Sequence, residues 1–179
     1  MTTPIRPETY RFHNGHKARL PFDPQEYDLR LSRLRARMQS LGVDTALFTS
    51  MHNVAYYSGF LYCSFGRPYG LVVTPDSAVT ISAGIDAGQP WRRSHGDNLT
   101  YTDWSRDNFW RAVRSVVGKG KVLGCESDHL TLVQRDRLED FLQPLTMVDL
   151  SLETMEQRMH KTDAEIALIR AGAQVADVG

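Results

Sequence analysis

The chain has 179 residues, 41% of them hydrophobic and 23% charged, the make-up of a globular domain long enough to bury one core. Lys and Arg number 21, as do Asp and Glu, for a formal net charge of zero, so no basic field exists to hold a nucleic acid or an anionic membrane surface. Cys63 and Cys125 have no zinc-site spacing, no apolar run is long enough to span a membrane, and the opening "MTTPIRPETYRFHNGHKARL" lacks the apolar stretch of a signal peptide; a cytoplasmic location is expected.

Residues 1–22 read as a polar leader, in which His13 and His16 of "HNGH" belong to a mobile segment in preference to a metal site. In "FDPQEYDLRLSRLRARMQSLG" Asp23 is placed as a helix N-cap, Pro24 as the first helical residue, Glu26 for a reciprocal cap and Gly42 as a stop. Tyr27, Leu31, Leu34, Met38 and Leu41 share one face of that helix. "DTALFTS" predicts a buried strand, and "YGLVVTP" and "AVTISA" predict a strand pair turning at Pro75 and Asp76. In "DAGQPWRRSHGDN" a surface helix with Trp91 packed inward competes with an anion site, and the Asn-Leu-Thr at Asn98 is a chance sequon.

"DNFWRAVRSVVG" predicts a helix with Phe109, Val113, Val116 and Val117 on one side, and "KVLGCE" predicts a strand. "ESDHL" sets Glu126, Asp128 and His129 at that strand's end, where functional groups often sit; the structural alternative makes Asp128 the cap of the next helix and His129 a turn residue. That helix is "LTLVQRDRLEDFL", followed by a strand in "LTMVDL" and a short helix marked by Leu152, Met155 and Met159. "KTDAEIALIRAGAQVADVG" starts a new helix with Thr162 and Glu165 as a capping box. Its apolar stripe of Ile166, Ile169, Ala173 and Ala176 suggests packing against a neighbouring domain, or docking on the same domain with Gly179 as a stop. The interleaving predicts an α/β fold, a mixed β-sheet with helices on both faces, divided as leader 1–22, domain 23–160 and linking helix 161–179.

The sequence contains no G-x-G-x-x-G, P-loop, H-E-x-x-H or G-x-S-x-G motif. The segment "SMHNVAYYSGFLYCSFGRPYG" gathers a histidine, an asparagine, adjacent tyrosines and a Phe-Gly-Arg-Pro loop. Gly66 permits a sharp turn and Pro68 extends Arg67, so Phe65 and Arg67 can project from one tip. A fork that fits a carboxylate and a ring that fits a guanidinium suit a small zwitterion. In the plainer alternative Phe65 is core and Arg67 a surface charge.

The blocks "FTSMHNVAYYSGFLYCSFGRPYGLVVT", "ISAGIDAGQPWRR", "YTDWSRDNFW" and "KTDAEIALIRAGAQVADVG" resemble, in order and spacing, the N-terminal domain of the creatinases, over nearly the whole chain. The wider prolidase and Xaa-Pro aminopeptidase family shares the theme of Asn53 to Phe60. The resemblance implies a mixed-sheet N-terminal domain preceding a larger catalytic domain of pita-bread fold. It also implies a homodimer in which this domain closes the partner subunit's active site. Phe65 and Arg67 would then be substrate-binding residues, Arg67 on the carboxylate of creatine and Phe65 beside its guanidinium. The implied reaction is hydrolysis of creatine to sarcosine and urea without a metal or other cofactor, and with no catalytic residue in this chain. The alternatives are the N-terminal domain of an Xaa-Pro peptidase or another amidinohydrolase, and a non-enzymatic binding or dimerisation module.

Overall fold

The apolar runs of the sequence become the centre of one sheet. The computed structural model describes residues 6–62 and 66–178. Seven strands, Thr9–Tyr10 (β1), Thr45–Phe48 (β2), Gly70–Val73 (β3), Ala78–Ala83 (β4), Asp97–Tyr101 (β5), Val122–Cys125 (β6) and Thr146–Asp149 (β7), lie in the order β1-β5-β4-β3-β2-β6-β7. The helices are Pro24–Ser40 (α1), Met51–Ser58 (α2), Gln89–Arg92 (α3), Asn108–Val117 (α4), Leu132–Leu142 (α5), Ser151–Met159 (α6) and Asp163–Val178 (α7). β3 is antiparallel to both neighbours, whereas β4 pairs with β5, β2 with β6 and β6 with β7 in parallel. The predicted hairpin at Pro75 and Asp76 is therefore present inside a mixed sheet.

β2 and β3 are buried throughout, as strands covered on both faces must be. Phe48 stacks on Tyr57 of α2 with ring centroids 5.3 Å apart, and Phe48 faces Leu71 in register. Gly70 points to the opposite face, where a Cβ would meet the Phe109 ring of α4 at 3.5 Å. So α2 and α4 cover opposite faces. α1 and α6 join α2 through the Arg30 bond to Tyr56 O (2.8 Å) and the Asn53 bond to Thr154 Oγ1 (3.2 Å), while α5 packs beside α4.

Helix ends follow the predicted chemistry in part. Pro24 opens α1, and Gly42 beyond its end has φ +67°, but Asp23 makes no side-chain cap bond and Glu26 accepts from Arg30 Nε at 3.0 Å instead. The capping box of α7 forms: Glu165 N donates to Thr162 Oγ1 (3.3 Å) and Thr162 N to Glu165 Oε2 (2.9 Å). α5 is capped by Thr131, not Asp128, which instead accepts from Ser151 Oγ at 2.9 Å. The short helix marked by Leu152, Met155 and Met159 forms as α6, but those three are exposed and Thr154 is its buried residue.

Three elements escaped the sequence pattern. α2 is absent from the predicted elements, yet the Ser50 side chain caps its first turn and Gly59 at φ +75° ends it. β5 reads as polar because its inward Asn98 and Thr100, with Thr80 and Ser82 of β4, satisfy one another in a fully buried network. β1 is short and lies in the leader, which is held and not loose. Lys17 Nζ donates to the carbonyls of Trp91, Ser94 and Gly96 at 2.6 to 2.8 Å, and Asp97 pairs with Arg11 and, at 2.8 Å, with His13.

Candidate functional site

Because β3 runs against its neighbours, the chain entering it arrives at the carboxyl edge of β4 and β5, the edge at which open α/β sheets bind ligands. Phe65 lies outside the described residues, with Cys63 and Ser64. The described part of the loop begins at Gly66, whose φ of +73° gives the sharp turn expected of it. Arg67 is half-exposed, with Nε 2.7 Å from Asp103 Oδ1.

Three contacts fix the loop to the sheet edge. Asp103 holds Arg67, Tyr101 OH donates to Pro68 O at 3.1 Å, and Tyr69 OH donates to Asp86 Oδ2 at 2.5 Å. Behind them Tyr69 stacks on Tyr62 with centroids 4.6 Å apart, and Tyr62 OH donates to Thr49 O at 2.7 Å. These groups border an open groove of about 580 Å³, lined by Tyr62, Arg67, Tyr69, Ile85, Asp86 and Arg93 among others. Leu61 and Ile85 expose most of their surface at its rim. The groove thus combines a held guanidinium with aromatic and aliphatic walls, the make-up of a site for a small molecule bearing a carboxylate.

Burial pushes the phenols of Tyr69 and Tyr101 well above their ordinary range, helped by the hydrogen bond to Asp86 for Tyr69 and by the charge of Asp103 for Tyr101. Tyr62 is pushed up to about 12 by burial and by Glu126. Such phenols stay protonated at neutral pH and serve as hydrogen-bond donors, not bases. Cys125 is buried and pushed up to about 11 by burial, which keeps it an unreactive thiol. Among the described residues no group of three or more His, Cys, Asp or Glu side chains is arranged to hold a metal ion.

The other candidate cluster has a different role. Glu126 is almost fully buried and accepts from Thr49 N (2.7 Å), Ser50 N (3.0 Å), Asn53 Nδ2 (2.6 Å) and the Ser50 hydroxyl. It anchors the N-terminus of α2 to the end of β6, where a carboxylate also complements the helix dipole. His129 Nδ1 lies 3.0 Å from Thr49 Oγ1 at the margin of this network. Glu126 thus has a structural role; of the structural alternative to a functional cluster, His129 is an exposed turn residue as expected, whereas Asp128 does not cap the next helix, which Thr131 does. Asp103, Tyr101 and Asp86 were not singled out in the sequence; only Asp86, just after the predicted strand β4, carried a positional signal.

Residues 30–160 match the family described as the Creatinase/Prolidase N-terminal domain. The chain is 49% identical over 171 residues to a creatinase of Bacillus sp. (strain B-0618), covering 93% of this chain and 42% of that protein. It is 27% identical over 159 residues to the putative dipeptidase YkvY of Bacillus subtilis (strain 168), covering 84% of this chain and 42% of that protein. The solved structure of an Xaa-Pro dipeptidase from Bacillus anthracis superposes with a TM-score of 0.70 at 21% identity, covering 85% of this chain and 41% of that one. That likeness is one of fold. The chain spans about two-fifths of the length of each of these proteins.

Proposed function

The chain belongs to the creatinase/prolidase N-terminal domain family, and from that membership we propose that it is the substrate-capping and dimerisation domain of a cytoplasmic creatinase, a hydrolase that converts creatine to sarcosine and urea. In that reaction water adds to the guanidinium carbon and the sarcosine nitrogen leaves with a proton. A general acid and base is needed, and in this reading it resides in a catalytic domain beyond this chain. The role of this chain is to hold the substrate in a homodimer, its loop closing the partner subunit's active site.

The observation that carries the reading is Arg67: a half-exposed guanidinium at a groove mouth, on a loop braced at three points. A planar fork fits the creatine carboxylate in two parallel hydrogen bonds. Phe65, placed by sequence alone, would supply a ring face to the cationic end. The 49% identity to a creatinase, against 27% to a putative dipeptidase, favours creatine over a dipeptide.

The test is steady-state kinetics on the full-length protein. Arg67→Ala should raise the KM for creatine with a loss of about 2 to 4 kcal/mol in kcat/KM, the effect of leaving a buried carboxylate unpaired. An unchanged KM would return Arg67 to the role of a surface charge, and preferred turnover of an Xaa-Pro dipeptide would move the chain to the peptidase branch.

A further inference from the structure

The contact that orients Arg67 involves a residue to which no role has been given. Asp103 stands in the turn two residues beyond β5, and its carboxylate forms an ion pair with the guanidinium, Oδ1 lying 2.7 Å from Nε. With that contact on the Nε side, a second carboxylate would be met by the edge of the two terminal nitrogens. We infer that Asp103 is a positioning residue that fixes which edge of Arg67 is offered to the substrate, an inference that rests on Arg67 being the carboxylate grip.

Two further observations support a built arrangement. Gly84 opens the turn after β4, and a Cβ there would lie 2.9 Å from Asp103 Oδ2 and 3.2 Å from Tyr101 O, so the absence of a side chain at Gly84 is what leaves room for the carboxylate. Tyr101, two residues before Asp103, holds the carbonyl of Pro68, the residue after Arg67. The same strand end therefore fixes both the backbone and the side chain of the loop.

Magnitudes argue for orientation over stability. With side-chain exposures of 44% and 31%, the pair adds about 0 to 1 kcal/mol to folding. A long, freely rotating arginine offers a carboxylate many poses, and holding one of them removes the entropy that binding would otherwise cost.

The experiment compares Asp103→Asn, Asp103→Ala, Asp103→Glu, Arg67→Ala and the Arg67→Ala/Asp103→Ala double variant of the full-length protein, with creatine as substrate and urea as readout. Asp103→Asn and Asp103→Ala are expected to raise KM about three- to tenfold with kcat within about twofold of the parent and no resolved change in thermal midpoint. Asp103→Glu should recover part of the loss, and the double variant should match Arg67→Ala alone, because a positioning residue has nothing left to position. If Arg67→Ala raises KM while Asp103→Asn leaves it unchanged or lowers it, or if the two effects add in full, the positioning role is overturned and the grip stands. If Arg67→Ala itself leaves KM unchanged, both fall together.

Discussion

Glu126 takes donors from two backbone amides, a hydroxyl and an amide side chain while 2% exposed, so its loss leaves several buried donors unpaired at once. Glu126→Ala should destabilise the chain by about 3 to 5 kcal/mol in urea unfolding; a loss below about 1 kcal/mol would mean that water or a neighbour replaces it. At this scale the sequence was legible where a residue's local company defines it. Gly66 and Pro68 mark Arg67 as a loop-tip residue with no knowledge of the fold. Glu126 was ambiguous because its partners Thr49, Ser50 and Asn53 lie on a distant segment. Asp103 was silent for the same reason: nothing in "YTDWSRD" announces a partner in another loop.

The elements at the two ends of the chain are held by polar contacts, not by apolar burial. α7 has no buried residue; Ile169 of its predicted stripe is exposed, as are Leu168 and Val175 on its other side. Its first turn is fixed by buried Arg30, which lies 3.2 Å from Glu165 and is flanked by the rings of Phe22 and Tyr56 at 4.3 and 4.2 Å, while Thr162 Oγ1 donates to Glu26 at 3.1 Å. Periodicity revealed the helix and its cap but not this buried cation, because an arginine beside an apolar face reads as solvated. The leader depends on Asp97. Burial opposes ionisation of its carboxyl, but the hydrogen bonds from His13 and the Asn98 amide, with Arg11 beside it, hold it below its ordinary 3.8. A lowered carboxylate contributes stability in full above 3.8 and loses it as pH falls through the lower folded value. Amide exchange at Ala18 and Thr102, bonded to Arg92 O and Glu8 O and measured relative to the intrinsic rate at each pH, should therefore stay slow at neutral pH and quicken only below about pH 4. Asp97→Asn should quicken it already at neutral pH; unchanged protection there would place the leader's anchorage on Lys17 and the β1–β5 pairing instead.

For the molecule as a whole, the buried hydrophobic runs made the α/β mixed sheet legible, since β2, β3, β4 and β6 can be placed only between helices. The strand order was not, because it depends on pairings between segments far apart, including the parallel partners β5 and β7. The architecture places the arginine loop at the carboxyl edge of the sheet, where a groove with aromatic walls lies beside it. The phenols there are protonated donors and the one described thiol is buried and unreactive. The proposed function gives this chain the grip on substrate and another domain the bond-breaking. Urea release from creatine, measured side by side for the 179-residue chain and for the full-length protein, tests it most directly. The account predicts sustained turnover by the full-length protein and none by the shorter chain; sustained turnover by the shorter chain would contradict it.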